Sequence, residues 1–319
     1  MAGGSVGELG EFGLIDEIIR DLPMTPGVVL GAGDDCAVFS AEGNVAVSTD
    51  TMVADRHWKD TWSSPRDVGR KAVAAAVADL EAVGARPIGL VISLAVPTTL
   101  AADWVRDFAA GVRQECERAG AGLLGGDTTA APTAVVTVTV FGDLQGRDPV
   151  TRAGARPGDV VALKGRLGWA EAGRAVLNRG FRSPAAVVNA HRVPEPPYGA
   201  GAAAARAGAS AMIDVSDGLL ADLGHVARAS GVTIQLQTSH FDIAEPQRAV
   251  AGAIGRRDPL GFILTGGDDH ALTATFAAGD VPDGWRVIGH VEAGEPIVLV
   301  DGAVWEGPQG WDHFSGGRG

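Results

Sequence analysis

The chain has 319 residues, 46% hydrophobic and 20% charged, which suits about two globular domains and excludes a disordered chain. A net charge of −13 excludes the basic footprint of a nucleic-acid-binding surface; bound cations, or plain solubility, account for the acid excess. Cys36 and Cys116 have no CxxC partner, so zinc and dithiol chemistry find no support, and both are expected to be buried, reduced thiols. The opening MAGGSVGELGEFGL has neither a basic start nor a continuous apolar stretch, and no run approaches the ~18–20 apolar residues of a membrane span. The expectation is a cytoplasmic protein without membrane or nucleic-acid partners.

In chain order, residues 11–20 place Phe12, Ile15, Ile18 and Ile19 on one side of a short helix that Pro23 and Pro26 end. Residues 28–30 and 37–39 read as strands around the turn GAGDD (31–35), and 45–48 as a third strand closed by Thr49, Asp50 and Thr51. Residues 52–65, with Arg56, His57, Trp58, Lys59 and Trp62, form a polar, aromatic loop. Over 67–83 the spacing predicts a helix whose Val68, Ala72, Ala75, Ala76 and Val83 share a side with Asp79; Gly84 closes it. A strand at 88–96 precedes a helix at 101–119 with Trp104, Val105, Phe108, Val112 and Cys116 in one stripe. LLGGDTT (123–129) reads as a glycine turn, and 134–141 alternates as a strand.

The Gly-, Pro- and charge-rich segment 142–158 marks the boundary between an N-terminal domain (1–148) and a C-terminal domain (149–319). Beyond it the pattern predicts a strand at 159–163, a glycine turn (164–168), a helix at 169–178 and a long proline-rich connection at 183–200. Next come a short helix at 202–208, a strand at 211–215 running into DVSDG (214–218), and a helix to about residue 230. A strand at 232–236, the turn GGDDH (266–270), a strand at 272–276 and short strands from Trp285 complete the chain.

The acids recur in one context. Asp34, Asp35, Asp50, Asp127, Asp214, Asp217, Asp268 and Asp269 all fall at predicted strand ends or adjoining turns, while Asp79 lies on a helix side otherwise made of Ala and Val. An aspartate in a glycine turn is most often a turn-former, but a carboxylate on an apolar face needs a cation or hydrogen bonds. Hard oxygen ligands suit Mg²⁺, which in enzymes usually accompanies phosphates. No GxxxxGK[ST] loop is present, so phosphates here would be met through metal rather than by a lysine cradle.

The ordered set GDDCAV, STDT, ADLEAVGA, LGGDTT, TRAGARPGD, IDVSDGLLADLGH, GGDD and GWDHF, from about residue 8 to 314, resembles bacterial thiamine-monophosphate kinase. That family belongs to the wider group related to aminoimidazole ribonucleotide synthetase. The resemblance implies an α/β (α+β), two-domain, PurM-like fold, with an N-terminal mixed-sheet domain that binds ATP and Mg²⁺ and pairs into a homodimer, and a C-terminal α/β domain. It implies ATP-dependent phosphorylation of thiamine monophosphate to thiamine diphosphate by in-line, Mg²⁺-assisted transfer. By matching motif, Asp35, Ser48, Thr49, Asp50, Asp79, Asp127 and Asp214 would bind several Mg²⁺ ions and Asp217 a further one. Gly126, Asp127, Arg152 and Ser216 would hold ATP; His57, Asp268 and Trp311 would contact the thiamine substrate. No residue is expected to act as a covalent nucleophile.

Each side chain also has a plainer reading: His57 and Arg152 as loop residues, Trp311 as core packing, Ser216 as a helix cap, His225 as structural. Where the family shows Gly-Gly-Glu-Asp-Tyr-Glu-Leu, this chain has GGDDHAL (266–272), which alters the substrate side through Asp268 and His270. The rivals are another ATP-using enzyme of the same superfamily, disfavoured by the GWDHF ending and the lack of a reactive or terminal Cys, and a non-catalytic nucleotide or divalent-metal sensor.

Overall fold

The computed structural model describes residues 4–20, 25–32, 36–255 and 258–311. The proposed ligand Asp35, its neighbour Asp34, Pro23 and the DHF of the C-terminal motif therefore lie outside the described residues. The chain divides into two compact units, residues 1–80 with 85–147 and residues 81–84 with 148–319.

In the first unit, α1 (Val6–Ile19) begins earlier than its apolar spacing predicts, because Ser5 and Glu8 cap each other's backbone N–H groups. Gly10, at φ 67°, kinks it, so Leu14 is buried and Phe12 faces solvent at 78% exposure, contrary to the expected apolar side. Strands β1 (Val28–Leu30) and β2 (Val38–Phe39) pair antiparallel.

A four-stranded mixed sheet follows: β3 (Val45–Val53), β4 (Arg86–Val96), β5 (Gly122–Ala130) and β6 (Val135–Asp143), in spatial order β3-β6-β4-β5. Only β4 and β5 run parallel, joined through α3 (Ala102–Ala119); α2 (Pro65–Ala82) connects β3 to β4. Leu90, Ile92, Leu94, Val136, Val138 and Val140 are buried, as are Val73, Val77 and Leu80 of α2 and Val105, Phe108 and Val112 of α3. Two expectations change. Asp50 lies inside β3, opposite Val138, rather than at a strand end. The glycine-rich segment at 123–129 is strand rather than turn, because pairing with β4 overrides its weak β propensity.

In the second unit, β7 (Val160–Lys164), β8 (Ala211–Val215), β9 (Thr233–Leu236), β10 (Ala271–Phe276), β11 (Arg286–Glu292) and β12 (Val298–Val300) form one sheet in the order β12-β9-β11-β7-β10-β8. Helices α4 (Trp169–Leu177), α5 (Ala185–Arg192), α6 (Ala200–Arg206), α7 (Leu219–Ser230), α8 (Glu245–Ala253) and α9 (Leu260–Thr265) accompany it. The supposed connection at 183–200 thus contains α5, whose Val187, Val188 and Ala190 are buried. The core joins Val161, Leu163, Ile213, Val215, Leu219, Leu223, Ile234 and Ile288. Of the cysteines, Cys116 is buried as expected, whereas Cys36 is exposed.

Candidate active site

The first unit offers side chains on both faces of its sheet. Ser48 and Asp50 alternate with Thr49 and Thr51 along β3, so the two pairs point to opposite sides. Ser48 Oγ donates to Asp79 Oδ2 of α2 at 2.5 Å, which gives the half-buried helix aspartate a polar partner. Asp50 is half-buried, and its Oδ1 accepts the N–H of Thr51 at 2.8 Å.

Cross-strand register sets the other face. Thr51 pairs with Thr137, Thr137 with Ser93, and Ser93 with Asp127. Asp127 therefore shares the face of Thr49 and Thr51, not that of Ser48 and Asp50, because partners in a ladder project to the same side. Asp127 and its neighbour Gly126 are exposed. A Cβ on Gly126 would collide with the Ile92 carbonyl, so only glycine fits beside β4 there.

His57 is half-buried, and its Nδ1 lies 2.9 Å from the N–H of Val53. That N–H can only donate, so Nδ1 accepts and a neutral ring carries its proton on Nε2. The loop is thereby tied back to the end of β3, with Trp58 at 2% exposure underneath.

The second unit builds its acids around one loop. Asp222, in the first turn of α7, accepts the N–H groups of Ser216, Asp217 and Gly218, each at 3.1 Å. Gly218, not Ser216, is the N-cap of α7, and Asp222 supplies the oxygen that a capping side chain would give. Burial, then the nearby Asp214 and Asp217 charges, push Asp222 up to about 7 against those backbone donors. Asp214 is buried at 3% exposure, with Oδ2 3.0 Å from His270 Nδ1.

The GGDDH turn is stitched to the same loop: Asp268 N donates to Ser216 O at 2.8 Å and His270 N to Val215 O at 2.9 Å. Asp268 and His270 both have left-handed backbone, at φ 68° and 52°, a conformation that costs about 1–3 kcal/mol for a non-glycine residue. Asp269, between them, is the anchor. Its carboxylate accepts the Gly168 N–H and, at 2.9 Å, the Ala170 N–H at the start of α4. Burial pushes Asp269 up to about 7, opposed by those two N–H groups and by Arg166. These bonds hold the strained turn in place, with Asp268 half-buried and His270 against Asp214.

Trp311 is 40% exposed, and its N–H donates to Asp217 O at 2.9 Å. Its ring lies 5.3 Å from the Arg174 guanidinium carbon. Arg152 is exposed, and its carbonyl accepts from Ser230 Oγ at 3.0 Å. His225 is exposed on α7. Among the described residues no three His, Cys, Asp or Glu side chains gather closely enough to hold a metal ion.

Sequence reasoning missed Asp222, Asp269 as an anchor, and Arg174. An acid in the first turn of α7 was a legible signal for Asp222; the second Asp of GGDD, which the sequence does not distinguish from Asp268, and an arginine on a short helix gave none.

A four-stranded mixed sheet followed by a second α/β unit, with acids at turns and on strands, defines the class. Residues 33–144 match the family of AIR synthase related protein, N-terminal domain. Thiamine-monophosphate kinase of Mycobacterium tuberculosis is 48% identical over 309 residues, covering 96% of this chain and 92% of that protein. The crystal structure of thiamine-monophosphate kinase from Stenotrophomonas maltophilia superposes with a TM-score of 0.79 at 31% identity, covering 92% of this chain and 96% of that one. AaThiL complexed with AMPPCP and TMP gives a TM-score of 0.77 at 30% identity, covering 96% and 98%. The chain belongs to the thiamine-monophosphate kinase family.

Proposed function

We propose that this protein transfers the γ-phosphoryl group of ATP to the phosphate of thiamine monophosphate, forming thiamine diphosphate and ADP. The observation that carries the reading is family membership across nearly the whole chain, supported by a fold neighbour holding AMPPCP and TMP. The accepting atom is a phosphate oxygen, already anionic and nucleophilic at neutral pH. Neither a strong general base nor a covalent enzyme intermediate is needed, and catalysis reduces to alignment and charge neutralisation.

The donors fit Mg²⁺ chemically, since carboxylates and hydroxyls are all hard oxygen ligands. Asp35, Ser48, Thr49, Asp50, Asp79, Asp127 and Asp214 would hold several ions and Asp217 a further one. When bound, Mg²⁺ would offset the repulsion between two phosphate-bearing reactants. The Ser48–Asp79 hydrogen bond supports this reading on one face of the first sheet, and exposed Asp127 on the other.

Gly126 and Asp127, Arg152 through its planar fork, and Ser216 would hold ATP. His57, Asp268 and Trp311 would receive the thiamine substrate, with Trp311 facing a flat, cationic ring. Exposed Val45 and Val47, at 39% and 59%, share the Thr49 face of β3 and support pairing of two copies through this sheet. A cytoplasmic location belongs to the same proposal.

Chromatographic analysis of the protein incubated with ATP, MgCl₂ and thiamine monophosphate tests it. Thiamine diphosphate and ADP should form in equal amounts. ATP binding without thiamine diphosphate would leave a nucleotide sensor instead.

A further inference from the structure

Arg174 belongs to none of the motifs, yet the substrate side of the second unit converges on it. It sits on α4, whose first turn the Asp269 carboxylate grips. Glu171, one turn earlier, holds its guanidinium by two parallel bonds, Nε to Oε2 at 2.7 Å and Nη2 to Oε1 at 2.9 Å. A surface pair at i,i+3 ordinarily contributes little, but this fork is half-buried and geometrically fixed.

The fixed plane then meets the Trp311 ring, 5.3 Å from guanidinium carbon to ring centroid, within reach of a cation–π contact. Burial works against the Arg174 charge, while Glu171 and, behind it, Asp268 more than offset that and hold the guanidinium above its ordinary value. Arg174 also borders a cavity of 330 Å³ with Glu171, Asn178, Arg179, Ile254 and Phe262. Trp311 is thus set from two directions, its backbone by Asp217 and its ring by Arg174.

A cation beside the ring proposed to receive a cationic thiazolium is at first sight misplaced. The charges resolve it. Glu171 and Asp268 set two carboxylates against the one guanidinium, so this set stays net negative, as a singly cationic ring requires. Its contribution is geometric. We propose that Arg174 is a positioning residue for thiamine monophosphate, fixing the Trp311 ring at the orientation in which it receives the substrate heterocycle. This rests on the kinase reading above.

The two possible roles of the charge have opposite signs. Were Arg174 only an electrostatic neighbour of the cationic heterocycle, removing it would make the surroundings of that ring more negative and lower KM for thiamine monophosphate. As a positioning residue, its removal raises KM.

The test is steady-state kinetics of the full-length wild type, Arg174→Ala, Arg174→Gln and Arg174→Lys, with thermal unfolding as a folding control and Arg174→Gln read if Arg174→Ala is insoluble. The expected result is a rise of about fivefold in KM for thiamine monophosphate in the Ala and Gln variants. The kcat and the KM for ATP should hold, and Lys, which keeps the cation but loses the fork, should fall between. Trp311 emission should shift in Arg174→Ala relative to wild type, and the shift should vanish in a Trp311→Phe background. If the wild type makes no thiamine diphosphate, the kinase reading itself fails. If the wild type turns over while Arg174→Ala and Arg174→Gln keep or lower KM for thiamine monophosphate, the role of Arg174 is overturned and the kinase reading stands.

Discussion

The acids singled out above sit differently in the two units. In the first, Asp50, Asp79 and Asp127 stand on a sheet and a helix, where a serine hydroxyl meets Asp79 and the adjacent N–H meets Asp50. In the second, Asp222 and Asp269 are buried and fastened to three and two backbone N–H groups respectively. A carboxylate that takes several backbone donors is spent on shaping the chain. An exposed one such as Asp127 presents its oxygens to solvent, where a ligand can reach them. Asp222 also shapes the loop that carries Asp217, next to the end of β8, where Asp214 is buried against His270.

The largest effects are expected from substitution of the proposed metal ligands. Asp35→Asn and Asp79→Asn should each lower kcat by about a thousandfold, the scale of a lost metal contact in phosphoryl transfer. Their melting temperatures should stay close to wild type, and near-normal rates from both would remove them from the site.

The shaping acids should behave the other way. Asp222→Ala leaves three N–H groups without their acceptor and should cost about 3 kcal/mol of stability. Denaturant titration measures it; an unchanged midpoint would show that water replaces the carboxylate at no cost.

His270 lies between the two classes. His270→Phe removes the ring nitrogen that meets Asp214 Oδ2 and should raise the Mg²⁺ concentration for half-maximal rate by about tenfold, with little change in unfolding. An unaltered Mg²⁺ dependence would make that hydrogen bond a packing detail.

The last effect is a slope. Asp269 is raised to about 7 in the fold, while an unfolded aspartate titrates near its ordinary value. Its contribution is complete below the unfolded value and is lost as pH rises toward about 7, because the unfolded state ionises first. Wild type should therefore lose stability relative to Asp269→Asn between about pH 4 and 7, read from denaturant midpoints across that range. Parallel profiles would place no proton on Asp269.

Periodicity was enough to read α3 and α7, because one side of each is apolar; α2 was read too, although it is buried nearly all round from Ala72 to Ala78. It failed for β5, where GLLGGDTTA pairs with a strand some thirty residues earlier, a non-local fact that composition does not carry. It failed likewise for Asp50, since β3 continues to Val53 only because β6 lies alongside it. The helix α5 was hidden by the prolines on either side of it. The motifs picked out Asp214, Asp217 and Asp268, but the reason for their shape lies in Asp222, Asp269 and His270, through pairings with backbone groups and with Asp214 that no motif records. The opposite facing of Asp50 and Asp127 is a matter of register and could be read only from the paired strands.

Direct transfer between two phosphate-bearing small molecules is read by a single-turnover experiment with γ-phosphoryl-labelled ATP. Excess protein, labelled ATP, MgCl₂ and thiamine monophosphate, quenched in acid, should pass the label to the terminal phosphate of thiamine diphosphate, with none on the protein at any time. Label retained on the chain, or released as free phosphate while thiamine monophosphate stays unchanged, would contradict the account.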